Sequence, residues 1–417
     1  MSHEPSRKLG IILTSRTDST GKLIFNRLSL LEKMGYHVRI YIVGKYPDGH
    51  PGENIFHGLR ARVSYELPGF MAQLFKAALW LPYLAIRNPR GFFKAAFTAI
   101  KLLPVARCRF RLASAVLHAA NISGKYSRRE GINCFYSFAS DDAAGIAMFA
   151  GMYCDVDFCF GASAADINVQ SAQELLLKIN VARFITVPSQ HLKNHLRELG
   201  LFPTRVYALP LGVDLKHFRF PPMLKPPAEP YKLLTICDLT RDHGVDKIIT
   251  ACGLLRQQGI KVFYTIIGLG PDKDRLEMCI KNLKLEKSVR IVERADESIR
   301  LREYHNADIF IWNRHASDVM VPCDIPGTMI EAAASGLPVI AARNGAITEL
   351  IEHEETGILF SPDSAEEIAA ACKMLFDDEI IRELIIIKAR LTVEGKFDMR
   401  KRVSDFIDIC ENNEILV

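Results

Sequence analysis

The stretch between Asp308 and Leu359 holds the residues best suited to chemistry. A short apolar strand and a polar loop precede a helix that is predicted to begin at Gly327 and Thr328. The first backbone N–H groups of a helix have no partner within it, and the positive end of the helix dipole favours a diphosphate there. Glu331 lies one turn later on the face of Thr328, where its carboxylate can accept hydrogen bonds from ribose hydroxyls. The spacing therefore predicts a nucleotide site, with an ordinary helix cap as the alternative.

Other polar residues stand where strands are expected to end. The loop before Gly21 leads from the first strand into a helix, and this glycine allows a phosphate or an acidic acceptor to approach the backbone. A solvated loop with a capped helix is the equal alternative. Two carboxylate pairs, Asp141 with Asp142 and Asp155 with Asp157, contain metal-ligand types, but such pairs on loops are usually solvated.

Short apolar runs alternate with amphipathic helical stretches along the chain. The alternation predicts parallel sheets built from β-α-β units, with ligands at the C-terminal ends of the strands. Five prolines between 221 and 230 cannot continue a helix or a central strand, so they predict an interdomain linker. We expect two α/β domains that face each other across a cleft. Their predicted ranges are 1–210 and 231–397, joined by a linker over 211–230, with a C-terminal helix over 398–417 that returns toward the first domain.

Composition limits the class of protein. The chain has 417 residues, of which 49% are hydrophobic and 24% charged, as in a packed globular protein and unlike a disordered or fibrous one. Its ten cysteines form no C-x-x-C pair, which indicates neither a zinc site nor a disulfide framework. No signal-peptide pattern is visible and no apolar run reaches 18 residues. We therefore expect a cytoplasmic protein that does not span a membrane.

The segment from 70 to 119 is basic and amphipathic. Between residues 66 and 130, eleven Lys and Arg residues stand against two glutamates, a net charge of +9 in a chain of net charge +5. Arg90, Lys94 and Lys101 are expected on one helical face with phenylalanines on the other, the pattern of a helix that lies on an anionic membrane surface. An ordinary surface helix that packs its apolar face on its own domain is the alternative. No base-reading motif accompanies the charge, so nucleic acid is not an expected partner.

Several motifs resemble those of glycosyltransferase family 4, the group 1 glycosyl transferases. They occur in the family's order over nearly the whole chain: Val187–Gln190, Leu209–Phe218, Ile267–Pro271, Tyr304–Asp308, Glu331–Ala341, Asn344–Leu350 and Thr356–Phe360. The run Asp324–Glu331 is most similar to the colanic-acid and surface-polysaccharide branch. The combination is specific, although each motif alone is weak.

The resemblance implies the GT-B fold, in which two Rossmann-like domains face each other across a cleft. It implies that the N-terminal domain takes the acceptor and that the C-terminal one holds a nucleotide sugar, without a metal or other cofactor. The backbone N–H groups of Gly327 and Thr328 would then hold the diphosphate of the donor, and Glu331 its ribose.

The sequence departs from the family pattern at four positions. The donor-binding Arg and Lys of the family fall on Asp238 and His243, and a carboxylate near the sugar falls on Cys323, with Asp324 beside it. The family's catalytic histidine falls on Ser163. Asp238 would repel phosphates, whereas an adjacent diphosphate would raise the pKa of His243. Loss of such cations removes stabilisation of the charge that develops on the leaving nucleotide.

The favoured function is that of a retaining, hexosyltransferase-type glycosyltransferase. It would move a sugar from a nucleotide-diphosphate sugar to a glycan or lipid-linked acceptor in surface polysaccharide biosynthesis, peripherally on the inner face of the cell membrane. Asp324, Cys323 and Ser163 are the candidate catalytic residues. Arg241 and Arg314 are among the bases that can compensate for the lost cations.

Two alternatives remain. The replaced residues favour a degenerate homologue that binds or stabilises an active partner enzyme. A nucleotide-sugar epimerase with the same fold is less favoured, because residues 326–337 are more similar to the transferases.

Overall fold

The computed structural model describes residues 8–14, 21–43, 58–66, 70–106, 108–127, 131–169, 171–200, 205–293, 295–314, 324–362 and 364–415. The chain divides into two compact units, Met1–Pro210 with Arg400–Val417, and Leu211–Met399. Within the described residues, no helix has both the length and the apolarity needed to cross a membrane.

A parallel seven-stranded sheet forms the centre of the first unit. Its strands are β1 (Lys8–Thr14), β2 (His37–Val43), β3 (Arg62–Glu66), β4 (Cys134–Ser137), β5 (Asp157–Gly161), β6 (Ile185–Val187) and β7 (Val206–Ala208). The strand order is β3-β2-β1-β4-β5-β6-β7. Strand β1 is buried on both faces, which explains its continuous apolar run.

Helices connect the strands of this sheet. They are α1 (Gly21–Lys33), α2 (Phe70–Arg87), α3 (Pro89–Leu102), α4 (Arg109–Ile122), α5 (Asp142–Cys154), α6 (Ala164–Val169), α7 (Ala172–Val181) and α8 (Gln190–Glu198). A π-helical stretch, Ser123–Ser127, continues α4.

The second unit contains a parallel six-stranded sheet in the order β10-β9-β8-β11-β12-β13. Its strands are β8 (Tyr231–Ile236), β9 (Val262–Ile267), β10 (Val289–Val292), β11 (Ile309–Trp312), β12 (Val339–Ala342) and β13 (Ile358–Phe360). Its helices are α9 (Val245–Gln257), α10 (Lys273–Asn282), α11 (Glu297–Asn306), α12 (Gly327–Ala334), α13 (Ala365–Asp377) and α14 (Glu379–Lys396). Successive residues of β8, Leu233 and Leu234, enter separate hydrophobic cores on the two faces of the sheet.

The proline-rich segment packs on the second unit. Phe218 is buried, and its carbonyl accepts a hydrogen bond from Arg390 at 3.1 Å. The Lys225 carbonyl accepts one from the buried Arg382 at 3.0 Å. Pro221 lies against Gly336, where a Cβ atom would stand only 2.8 Å from the proline ring. Residues 211–230 are thus held along the second unit by side chains of its helices.

The last helix, α15 (Met399–Asn412), packs into the first unit from Arg400 onward. The Phe406 ring lies 5.0 Å from that of Tyr136 and 6.2 Å from that of Phe184. The Tyr36 hydroxyl donates to the Glu411 carboxylate at 3.1 Å. The chain end therefore completes the core of the unit in which the chain begins.

The basic segment is helical, but its faces differ from the sequence prediction. Helix α3 packs through Gly91, Ala95 and Leu102, whereas the phenylalanines expected to lie opposite the bases are exposed together with them. Lys101 Nζ lies 4.5 Å above the centre of the Phe97 ring. The prediction of a basic face opposite an apolar one was wrong, because small residues provide the packing face.

Close packing of backbones explains that choice of face. The Asn88 side chain caps Gly91 N at 3.0 Å and donates to the Met152 carbonyl at 3.2 Å. A Cβ atom on Gly91 would lie 2.1 Å from that carbonyl oxygen. Only glycine lets α3 approach the end of α5 this closely.

Replacement of Gly91 by alanine is expected to destabilise the first unit by about 1–3 kcal/mol, since the new methyl group overlaps the Met152 carbonyl. Gly145→Ala is the matched control, because it is also helical and its added Cβ would meet only Ala115 Cβ at 3.7 Å. The control should gain up to about 1 kcal/mol from helix propensity. Urea unfolding followed by circular dichroism measures both; equal shifts in the two variants would contradict the packing assignment.

Candidate functional site

The order of strands in the second sheet reverses between β8 and β11. In open α/β sheets the C-terminal ends of the strands at such a reversal are the expected place for a ligand site. The segment 237–244 follows β8, and Asn313 and Arg314 follow β11. Polar residues of this edge form the candidate site of the second unit.

Helix α12 begins at this edge. Pro326 occupies its N-cap position and has no side-chain group that could cap the first turn. The Thr328 hydroxyl donates to the Ile236 carbonyl at the end of β8, at 3.3 Å. No atom of the described residues lies within 4 Å of a Cβ atom built on Gly327. The N-terminus of α12 is thereby fixed at the strand-order reversal, with its dipole favouring an anion.

Glu331 is positioned by a residue that the sequence interpretation did not assign to the site. The Tyr304 hydroxyl lies 2.9 Å from Glu331 Oε2 and 3.1 Å from the Thr328 carbonyl oxygen. Burial, together with the negative charge of Glu331, raises the pKa of Tyr304 well above its ordinary value. The tyrosine therefore stays protonated and donates its hydrogen bond. In the sequence Tyr304 stands between the polar Glu303 and His305, and only its place in the motif Tyr304–Asp308 singles it out.

The loop after β8 carries a compact polar cluster. The Thr240 hydroxyl contacts the Asp242 carboxylate and lies 2.8 Å from His243 Nδ1. Asp242 also pairs with Arg314 at 3.1 Å. Burial acts to raise the pKa of Asp242, but the Thr240 hydrogen bond and the neighbouring charges of His243 and Arg314 lower it overall. Asp242 is therefore anionic and bound to the guanidinium.

His243 points into the protein. Its side chain is buried and its ring meets Trp312 edge-on, with 5.1 Å between ring centres. Burial lowers the pKa of His243 more than nearby Asp242 raises it. The imidazole is thus neutral near pH 7 in this structure, whereas Asp238 is exposed. Their assignment to donor binding stays a prediction.

The end of β11 is tied to both neighbouring loops. The Asn313 side chain donates to the Gly244 carbonyl at 3.1 Å, and the Asn344 side chain donates to the Arg314 carbonyl at 3.3 Å. Among the described residues, Asn313 Oδ1 and Trp312 Nε1 are buried without a hydrogen-bond partner. Both atoms belong to residues at the C-terminal end of β11.

Two candidate catalytic residues precede α12. Asp324 is half-buried, two residues before the N-cap Pro326. Cys323 lies outside the described residues. Their predicted roles near the sugar stay predictions.

In the first unit, Ser163 caps a helix. Its hydroxyl accepts from Asp166 N at 3.2 Å, while the Asp166 carboxylate accepts from Ser163 N at 3.2 Å. This reciprocal pair is a capping box, which the sequence Ser-Ala-Ala-Asp already signals. The predicted catalytic serine thus has a structural contact in α6. Gly21 is the first residue of α1, as the sequence suggested for a helix start.

The carboxylate pairs have local structural roles. Asp141 caps α5 by accepting from Ala143 N at 2.9 Å, and Asp155 ends the same helix in a left-handed conformation with φ of 56°. The buried Lys178 donates to the Ser140 carbonyl at 2.8 Å and pairs with Glu174. Over the part of the chain that the structure describes, no three His, Cys, Asp or Glu side chains are grouped to hold a metal ion.

A surface cavity of about 360 Å³ lies elsewhere in the second unit. Lys232, Phe263 and Arg290 line it, and each lies near the N-terminal end of its strand. The cavity is therefore at the opposite edge of the sheet from α12 and is not the candidate site.

Solved structures share this architecture. A glycosyltransferase from Rickettsia africae aligns with a TM-score of 0.71 and 16% identity over 99% of both chains. Anabaena Alr3699/HepE, crystallised with UDP and glucose, aligns with a TM-score of 0.69 and 16% identity over 97% of this chain and 99% of that one. The fold class is GT-B, with two Rossmann-like units, as the resemblance implied.

A family model matches most of the second unit. The matched residues are 219–392, and the model is described as "Glycosyl transferases group 1". The resemblance is confirmed over these residues, which include Thr328 and Glu331.

Two curated relatives are named as glycosyltransferases of amylovoran and colanic acid biosynthesis. The amylovoran biosynthesis glycosyltransferase AmsK of Erwinia amylovora is 29% identical over 184 residues, 44% of this chain and 45% of the relative. The protein of Escherichia coli strain K12 named as a colanic acid biosynthesis glycosyltransferase, WcaL, is 29% identical over 208 residues, 49% of this chain and 50% of the relative. The alignments thus span about half the length of these relatives.

The burial of His243 predicts a pH dependence of stability. Its pKa is lowered in the folded state, so the unfolded chain takes up a proton first as the pH falls through about 6.5, the ordinary value. The free energy of unfolding should therefore decrease from pH 7 to about 5. A Trp80→Phe background lets Trp312 fluorescence report urea unfolding. His243→Gln should flatten the pH dependence, and the exposed His305→Gln should not; identical slopes in all three proteins would contradict a neutral His243.

Proposed function

We propose that the protein is a retaining glycosyltransferase that uses a nucleotide-diphosphate sugar and no metal cofactor. The observation that carries the proposal is Glu331, held by the buried Tyr304 hydroxyl one turn into α12, within the residues that match group 1 glycosyl transferases. An acceptor carboxylate beside a helix N-terminus suits a ribose next to a diphosphate. Anabaena HepE was crystallised with UDP, which supports a nucleotide donor.

Each group has a distinct role in this proposal. The N–H groups of Gly327 and Thr328 stabilise the negative charge that develops on the diphosphate as its bond to the sugar breaks. Glu331 orients the nucleoside, and Tyr304 positions Glu331. Asp324 is assigned to the sugar, as is Cys323, which is outside the described residues. The acceptor hydroxyl forms the new glycosidic bond with retained configuration, and its proton leaves with the departing phosphate.

The acceptor is proposed to be a glycan or lipid-linked glycan of surface polysaccharide biosynthesis. Support comes from the relatives named for amylovoran and colanic acid biosynthesis. These polymers give the class of acceptor, and the N-terminal unit would bind it at the cytoplasmic face of the membrane.

A catalytically degenerate homologue is the second candidate. Its support comes from the loop after β8, where the family has two cations. Here one position holds an exposed acid, Asp238, and the other holds His243, which is neutral and turned toward Trp312. Of the two arginines named as compensating bases, Arg314 is engaged by Asp242 and Arg241 is exposed in the loop after β8. Such a site offers a diphosphate the helix dipole with fewer cations than the family pattern provides.

Nucleotide binding provides the test. Glu331→Ala removes charged hydrogen bonds to ribose, each worth roughly 1.5–3 kcal/mol, and should weaken binding of nucleoside diphosphates by about ten- to a hundredfold in calorimetry. Tyr304→Phe should give a smaller loss, because it only releases Glu331 from its position. Glu366→Ala, an exposed acid on α13, is the matched control and should leave the affinity unchanged. Unaltered affinity in Glu331→Ala would remove Glu331 from the site.

The same assay separates the two candidates. The double variant Asp238→Arg, His243→Lys restores the family's cations and should strengthen binding if the natural site is functional but weak. Nucleotide binding by the double variant alone, with none by the natural protein, favours the degenerate homologue. Transfer of sugar from a labelled donor panel by the natural protein favours the enzyme.

Peripheral membrane binding is proposed for the first unit. Large apolar side chains of α2, α3, its C-cap residue and α4 are solvent-exposed, with fractions from 44% to 84%: Met71, Leu74, Phe75, Leu79, Ile86, Phe93, Phe97, Ile100, Leu103 and Phe110. Exposed bases of α3 lie among them. Apolar side chains beside Lys and Arg can enter the headgroup region while the bases meet anionic lipid. An ordinary surface helix would bury the phenylalanines, so their exposure supports the membrane.

Vesicle sedimentation measures this contact. Reversal of Arg90, Lys94 and Lys101 to glutamate should weaken binding to anionic vesicles by about 1 kcal/mol per base. Reversal of Lys281, Lys284 and Lys287, all exposed on the second unit, changes net charge equally and is the control. Equal losses for both triples would indicate only a general charge effect, and no vesicle binding by the natural protein would refute the proposal.

A further inference from the structure

Helix α14 presents an apolar stripe to solvent. Ile380, Leu384, Ile387 and Leu391 are 73%, 50%, 46% and 60% exposed. The opposite face of the same helix is buried in the second unit through residues such as Ile385 and Val393. A surface helix normally exposes polar residues. Helix α14 differs, because it has apolar residues on both its buried and its exposed face.

The spacing of the stripe matches a helix–helix contact. The four residues are separated by four, three and four positions, which is the alternation of d and a positions in a heptad. Side chains at this spacing form one nearly straight seam along a helix. A second helix of the same pattern can pack along it.

Charges beside the stripe favour a second copy of this chain. In this register Glu383 occupies a g position and Lys388 the following e position, five residues later. When two such helices pack in parallel, each g residue lies beside the e residue of its partner. Glu383 of one copy thus meets Lys388 of the other, twice across a two-fold axis. The Lys388 ammonium is held at the surface by Glu355 of its own unit.

We propose that the protein forms a parallel two-fold dimer through the α14 stripe, formed by Ile380, Leu384, Ile387 and Leu391. A membrane is disfavoured as the occupant, because the charges beside the stripe are mixed. Glu379 and Glu394, the latter at the next d position, pair with Arg382 and Arg390 of the same helix. A surface of mixed charge attracts anionic lipid less than a cluster of bases does. The partner proposed for the α14 stripe, a second copy of the chain, thus differs from the membrane proposed for the basic helices α2 and α3.

The size of the stripe sets the strength of the dimer. Four side chains of one helix cover less than the roughly 800 Å² per partner of a stable interface. The dimer is therefore weak and reversible, and its population increases with protein concentration.

Sedimentation velocity of the full chain over a concentration series tests the proposal. Glu383→Lys alone places lysine opposite lysine, and Lys388→Glu alone places glutamate opposite glutamate, so each should weaken the dimer by about tenfold. An equimolar mixture of the two variants restores opposite charges at both contacts and should recover the dimer as a heterodimer. Glu366→Lys and Lys373→Glu, both on exposed positions of α13, form the matched control pair.

Further measurements separate other occupants. Ile387→Asp should abolish the dimer without changing thermal unfolding, because the side chain is exposed. A natural protein that stays monomeric to about 100 µM overturns the proposal, as does a mixture no more dimeric than its components. Loss of vesicle binding in Ile387→Asp with a monomeric natural protein assigns the stripe to lipid instead, which also overturns it.

Discussion

Parallel pairing of the strands is the constraint from which the arrangement of the site follows. Every strand in both described sheets runs in the direction of its neighbours, so each connection must cross back over a face of the sheet. In each sheet, all C-terminal strand ends therefore lie at one edge. Where the strand order reverses, between β8 and β11, polar side chains follow the ends of both strands. Thr328 joins α12 to that edge by its bond to the end of β8.

The described side chains of this edge combine neutral groups with a paired cation. Tyr304 is protonated and buried, His243 is neutral, and Arg314 is paired with Asp242. The positive end of the α12 dipole adds to the attraction for an anion. A diphosphate would also compete with Asp242 for Arg314, since both offer the guanidinium charged oxygen acceptors. Whether Arg314 binds Asp242 or a diphosphate more strongly would separate a weak active site from a degenerate one.

Two helices, α3 and α14, keep large apolar side chains in solvent. Gly91 and Ala95 let α3 pack by backbone contact, so the phenylalanines of that helix remain in solvent beside the bases. Helix α14 similarly buries one aliphatic face and exposes another. Contiguous exposed apolar patches on folded proteins usually mark contacts with other molecules. The different charges around the two surfaces, basic in the first unit and mixed in the second, suit different partners.

The sequence by itself determined the α/β class, the start of α12 at Gly327 and the family motifs of the second unit, because hydrophobic periodicity, helix-start chemistry and motif spacing are local properties. Local patterns also contained the Ser163 capping box. Only the tertiary structure decided that Tyr304 holds Glu331, that His243 turns toward Trp312, and that α3 packs by glycine and alanine. These outcomes depend on which groups compete for burial and hydrogen bonds between elements distant in sequence. Such a competition is settled by packing in three dimensions, which periodicity along one helix does not contain.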